Sequence, residues 1–349
     1  MPFATLFSNV AARLFGAMPT GGAGTAEPEL VRVAVEEIVN AVDPRLRTVS
    51  RYQSKIAPGA ERTIAYLRAL GSSLPAPIEL SRAAWSTDPL LNAYFATAGD
   101  LSALLGRCEE LRTFFAAPAN APTMEAHALL GMLKTERSVF APAIVNGALQ
   151  QDVAQTTVSF GKHRLLAPAV DALECRRQVG MLILRRLAGL ALERITALGE
   201  RAVDLEQRKA MLGSRLRMLS LRRNGIEEIA GGAGDASAEI ASIEGELKAT
   251  VDDYVEVKAS LATLDTHIEH VNAIFNAPAN CVSLARTELR VDQMGYKIAQ
   301  APGEQAPPLV LSELSIGSGL TIVIAFVRCP RAELPPREDL IARAARELL

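Results

Sequence analysis

Two long heptad runs of opposite charge lie one after the other in the second half of this chain, and they constrain its fold more than any other feature. Core positions recur as Ile195, Leu198, Ala202, Leu205, Lys209, Leu212, Leu216 and Leu219, with only Lys209 polar. A second run reads Ile240, Ile243, Leu247, Thr250, Tyr254, Val257, Leu261, Leu264, Ile268, Val271 and Phe275 without a slip in register. Alternating steps of three and four place each set along one helical seam. Residues 224–237 between them are glycine-rich, so they end one helix, and Asp235 or Ser237 can cap the next. The pattern predicts an antiparallel coiled-coil hairpin over 171–275, with its tip near 224–237.

Charge supports the same pairing. From Glu174 to Arg223 there are twelve basic and five acidic side chains, a balance of +7, whereas from Asp235 to Glu269 two lysines face nine acids, a balance of -7. Arms of opposite sign attract each other and disfavour pairing of like with like. At 1.5 Å per residue, arms of about 35–40 residues would reach on the order of 50–60 Å. Val179 to Leu192 is apolar almost all round, so the first arm is expected to root in the body of the protein. Arg215, Arg217, Arg222 and Arg223 lie near the tip, beyond much of the acidic arm, and are the expected partner contacts.

The remainder reads as a helical N-terminal part and a β head interrupted by the hairpin. From Glu29 to about Leu133 the period is helical, with Asp43-Pro44 and Asp88-Pro89 as start signals and Pro58-Gly59 as a break. Leu101, Leu104, Leu105, Cys108, Leu111 and Phe115 form the inward stripe of one helix capped by Asp100. Asn146-Gly147 is a hairpin turn signal, with arms over 136–145 and 148–160, and Pro142 puts the first arm at a sheet edge. Residues 281–292 alternate, placing Ser283, Ala285, Thr287, Leu289 and Val291 on one face. Leu309–Ile316 and Leu320–Val327 flank Gly317-Ser318-Gly319, and 321–327 is apolar on both faces, as in a central strand. A covering helix is expected over 337–349.

The expected fold class is therefore α+β and predominantly α-helical. It comprises a segment over 1–28, a helical bundle over 29–134, a small antiparallel or mixed β head split between 135–170 and 276–349, and the inserted hairpin. The strands of the split head can meet because a hairpin returns the chain close to where it left.

Composition removes several classes of function. Hydrophobic residues make up 49% and charged residues 22%, with 37 basic against 39 acidic side chains, which excludes a disordered chain and a histone-like polycation. Cys108, Cys175, Cys281 and Cys329 are widely spaced without a C-x-x-C, so neither a zinc knuckle nor a disulfide framework is written here and a cytoplasmic location is expected. No charge-free apolar run reaches the 18 residues of a membrane span. Phe3, Phe7, Leu14 and Phe15 give residues 3–16 an apolar stripe, so membrane-peripheral attachment or docking on a partner is an alternative for this segment.

No pattern specifies catalysis. His267 and His270 sit one turn apart but lack a third metal ligand, and His127 and His163 have no serine or cysteine partner at a recognisable spacing. Gly161-Lys162 lacks the rest of a phosphate-binding loop. The expectation is no cofactor and no metal, and a non-enzymatic interaction or scaffold protein whose hairpin engages a protein partner or a second copy. The alternatives are the N-terminal anchor, nucleic-acid association through the basic arm, and an enzyme whose site is assembled from distant residues. Nucleic acid is disfavoured because the acidic arm neutralises the arginines and no aromatics interleave with them.

Overall fold

The computed structural model describes residues 28–145, 148–223, 233–291, 295–297 and 308–336, with side chains described outside 141–151, 222–223 and 233–237. It is a helix-rich α+β structure with one curled, mainly antiparallel sheet. The described chain divides into two compact units, one of residues 64–183 and 279–336, the other of residues 28–63 and 184–278. The cut at Thr63/Ile64 runs through the segment read from sequence as a helical bundle, and that segment also contains a short strand and the start of a long one.

In the first unit the sheet comes from six strands: β1 (Ile78–Glu79), β2 (Glu125–Val145), β3 (Ala148–Ala169), β4 (Val282–Leu289), β5 (Leu309–Ile316) and β6 (Leu320–Pro330), in spatial order β3-β2-β6-β5-β4. β1 adds a parallel pair to β6 through Ile78↔Val327. The two edges of the sheet approach one another through residues 295–297. Val291 bridges Lys297, Tyr296 bridges Thr157 of β3, and the Val158 N–H donates to the Gly295 carbonyl at 2.8 Å. Gly295 has φ +81°, and a Cβ there would stand 3.1 Å from the Val158 carbonyl oxygen, so this contact requires glycine.

The hairpin is longer than its sequence suggested: β2 and β3 start and end well outside 136–160, from Glu125 to Ala169. Three β-bulges let the ribbon bend, and in each of them β3 contributes a residue with positive φ: Asp152, Lys162 and Ala167. The bulge at Asp152 falls opposite Pro142, which has no N–H to give to a ladder. From Leu133 onward β2 pairs with β3 alone among the described residues, in keeping with the edge position expected from Pro142.

Burial follows the curl. Ala126, Ala128, Leu130 and Met132 of β2, Leu309 and Leu311 of β5, and Val323, Ala325, Val327 and Cys329 of β6 join one core. That core also contains residues of three short helices, α4 (Pro89–Tyr94), α5 (Ala98–Arg107) and α6 (Glu109–Ala116), and the partly buried Ala84 and Trp85 of α3 (Arg82–Thr87) pack against it. β6 is buried over Val323–Val327, as a central strand should be. β4 departs from the simple alternation. Val282 is buried, Ser283 and Ala285 are exposed, and Leu289 is buried, so opposite faces are covered at its two ends. On the other side of the sheet Leu284, Leu314 and Phe326 line one small space with Leu67, Leu70 and Val179, so helices cover the face turned away from the inner core.

Local signals also moved. Asp88 caps α4 as expected, but Thr97 caps α5 in a capping box, with Asp100 as the reciprocal residue at its third position. The helix expected over 101–115 breaks at Cys108, although all six residues of its stripe are buried.

The second unit is helical. Its α1 (Pro28–Val42) buries Val31, Val35, Ile38 and Val39. The unit also contains the first half of α2 (Tyr52–Ser73), most of α7 (Ala172–Arg223), all of α8 (Ala233–Leu261) and α9 (Leu264–Phe275). Pro58 lies inside α2 and does not break it. The neighbouring Gly59 sits close against Phe275, and the Thr63 hydroxyl donates to the Phe275 carbonyl at 2.9 Å, so tertiary contacts offset one lost backbone bond. The second heptad run is likewise interrupted: α8 ends at Leu261, and Thr263 starts α9 with a capping box.

Candidate functional site

Two places carry chemistry or unpartnered surface, one in each unit. In the second unit α7 and α8 are antiparallel neighbours. Arg201 reaches Asp253 at 3.5 Å, Arg208 reaches Glu246 at 3.8 Å and Arg215 reaches Glu239 at 2.6 Å. Each pair advances seven residues along α7 and retreats seven along α8, the spacing of two heptad helices running in opposite directions. Between the pairs, Ala202, Leu212, Ile240, Ile243, Thr250 and Val257 are buried, and Lys209 extends over the Tyr254 ring at 4.4 Å. The single polar residue of the first seam is thus held by a cation–π contact.

The expected partner contacts fare differently. Arg215, expected to lack an acidic partner, is one of the three paired arginines. Arg217 is exposed and donates to the Ser214 hydroxyl at 3.1 Å. The side chains of Arg222 and Arg223, and all of Phe3, Phe7, Leu14 and Phe15, lie outside the described residues. What periodicity overlooked is a second apolar stripe on α7. Val203, Met211, Met218 and Leu221 are 52%, 64%, 62% and 74% exposed. At about 100° per residue they fall within about 80° of one another, on the face opposite the α8-facing seam, with the exposed polar residues Gln207 and Ser214 between them. On α8 the outward positions Ala241, Gly245 and Ala249 are small, with Asp252 and Glu256 exposed beside them.

In the first unit a cleft of about 640 Å³ opens between α5, α6 and the bulge of β3. The bulge sets Lys162 and His163 opposite Met132 alone, which turns both side chains out of the regular alternation, with Lys162 at φ +54°. His163 lies within β3. Its ring stacks on Phe95 with centroids 4.5 Å apart, and Nε2 lies 2.8 Å from the Tyr94 carbonyl oxygen. A carbonyl only accepts, so Nε2 carries the proton, while burial holds the imidazole below the usual histidine range and keeps it neutral. Phe95 is itself fixed by the Trp85 indole N–H, which donates to its carbonyl at 2.9 Å.

Phe95, Leu104 and Leu165 form an apolar floor, and Arg107, Lys162 and Arg164 are the cations of the lining. Its two acids are Asp100, whose carboxylate accepts from Thr97 N–H at 3.0 Å, and Glu110, 3.6 Å from the Cys108 thiol. Burial pushes the Cys108 thiol up, so it stays protonated at neutral pH and is a poor nucleophile. The run Gly161-Lys162-His163-Arg164 was the available sequence signal, but its partners lie more than fifty residues upstream.

Among the described residues no three of histidine, cysteine, aspartate and glutamate are grouped to hold a metal, and no helix is long and apolar enough to cross a membrane. His270 Nε2 instead lies 3.0 Å from the Ser260 carbonyl, across the break between α8 and α9. Comparison with family models, curated proteins and solved structures finds no match to this chain.

Proposed function

We propose that this protein is a non-enzymatic interaction protein in which α7 and α8 serve as the two arms of an antiparallel coiled-coil hairpin, and that this hairpin associates with a second copy of the chain. The observation that carries the reading is the exposed stripe Val203, Met211, Met218 and Leu221 on the far side of an already paired helix. Large apolar side chains exposed on the face opposite a helix's paired seam leave apolar surface that one partner does not cover.

Charge and shape select the occupant. The α7 arm is basic and the α8 arm acidic, so α7 of one copy is attracted to α8 of another. The methionine and leucine ridge on α7 complements the small residues Ala241, Gly245 and Ala249, with Asp252 and Glu256 available to the arginines at the margin. A two-fold arrangement makes this contact twice and closes the assembly as a dimer.

Light scattering and sedimentation of the full chain over a wide concentration range test the reading. A dimer is expected, reduced to monomer by Met211→Glu with Met218→Glu while the far-UV circular dichroism stays unchanged. A wild-type chain that remains monomeric at high concentration, or a double variant that remains dimeric, overturns it.

A further inference from the structure

We infer that the cleft between α5, α6 and the β3 bulge is a binding site for a phosphorylated small molecule, held by Arg107, Lys162 and Arg164. The inference is independent of the arm and its association. Three cations line one cleft, and none of them forms an ion pair among the described residues. Arg107 gives its Nε–H to the Ala103 carbonyl at 3.1 Å, which uses one of its five donors. With Asp100 and Glu110 in the same lining the cations still outnumber the acids by one, an excess of positive charge that an anion would neutralise, and arginine forks match phosphate oxygens.

The rest of the lining defines what accompanies the phosphate. Phe95, Leu104 and Leu165 offer apolar contact to the body of the ligand, and a cleft of about 640 Å³ suits a metabolite-sized molecule. His163, with its proton fixed on Nε2 by Tyr94, keeps Nδ1 as an acceptor for a ligand hydroxyl. The backbone supplies a further sign. Lys162 is held at φ +54° in a bulge, a conformation that lysine rarely adopts, and its consequence is to lift a cation out of the strand toward the cleft.

Isothermal titration of the full chain with inorganic pyrophosphate at constant ionic strength tests the site, with succinate as the carboxylate arm. The expected result is saturable binding of one pyrophosphate per chain, weakened at least about tenfold by Lys162→Gly with Arg164→Gln and unchanged by Lys248→Ala with Lys258→Ala on α8. Glycine at 162 removes the cation and relieves the backbone together, so the first variant retains its fold, which far-UV circular dichroism checks. Absence of saturable binding to wild type, equal affinity in the Lys162/Arg164 variant, or binding of succinate in place of pyrophosphate overturns the assignment.

Discussion

Replacing Gly59 by alanine tests the packing of the helical unit, because two effects of opposite sign meet there. Glycine inside a helix is about 0.8–1.0 kcal/mol less favourable than alanine, so propensity alone predicts that Gly59→Ala stabilises. Against this, a Cβ at position 59 stands 3.1 Å from the Phe275 Cβ, 3.4 Å from Asn276 Oδ1 and 3.5 Å from Asn272 Oδ1. Phe275 is fully buried, and its Cβ is not the free end of a flexible side chain. Nor can the helices part freely, since Thr63 Oγ1 donates to the Phe275 carbonyl at 2.9 Å and Asn272 Nδ2 donates to the Lys55 carbonyl at 3.0 Å. Overpacking of this kind costs about 1–3 kcal/mol, which leaves a net loss of roughly 0–2 kcal/mol after the propensity gain. Gly199 and Gly213 on α7 provide the comparison, because a Cβ at either meets nothing within 4 Å. Each should gain close to the full propensity term, about 1 kcal/mol. Urea titration followed by far-UV circular dichroism reads all three, with the midpoint shift taken at unchanged slope. The expected order is Gly213→Ala and Gly199→Ala above wild type and Gly59→Ala at or below it. If Gly59→Ala raised the midpoint as much as Gly213→Ala, the close approach of α2 and α9 would not be a constraint.

Other outcomes follow from single contacts. Leu130→Ala, at a fully buried position of the sheet core, should lower stability by about 2–5 kcal/mol in thermal or urea unfolding, and a loss below 1 kcal/mol would mean that the site collapses freely. His163 titrates lower in the folded chain than in the unfolded one, so the native state binds fewer protons as pH falls below about 6.5 and stability declines in that window. His163→Gln should flatten this part of the pH profile and leave the slope above pH 7 unchanged, and an unchanged acid slope would refute the burial argument. Arg208→Glu and Glu246→Arg should each weaken the arm slightly and restore it when combined, with a coupling of about 0.3–1 kcal/mol because both side chains are exposed, and zero coupling in the double-mutant cycle would count against the antiparallel register.

The helical arms were the most legible part of the chain for a physical reason. A heptad seam repeats one local environment, so Ala202, Leu212, Ile243 and Val257 announce their burial by spacing alone. Even there the pattern was blind to the break at Ala262-Thr263, since the capping box of α9 leaves the apolar register intact. β6 was readable because both its faces are buried, whereas β4 was misread because the curl of the sheet covers opposite faces at its two ends. The later strands were expected to meet residues 136–160, whereas β2 pairs with β6 through 125–132, residues read from sequence as part of the helical bundle. The cleft was invisible for a different reason. It is assembled from the α5–α6 junction and a bulge in β3, and no period connects Arg107 to Lys162. The outward apolar residues of α7 carry no heptad signature, because Gln207 and Ser214 interrupt that face.

The pairing of β2 with β6 has a consequence for how this protein is made. Leu130 stands opposite Ala325, so a ribosome must add 195 further residues before the first strand meets its central partner. At about 5–20 residues per second this interval lasts roughly 10–40 s, far longer than helices need to form from local contacts. For that time the β2–β3 ribbon presents an unpaired backbone edge along Ala126–Met132 on an otherwise apolar strand, the kind of edge that recruits stray strands. The nascent chain is therefore exposed to aggregation while its helical arms are being synthesised, and a chaperone that shields that edge would act until β6 has left the ribosome.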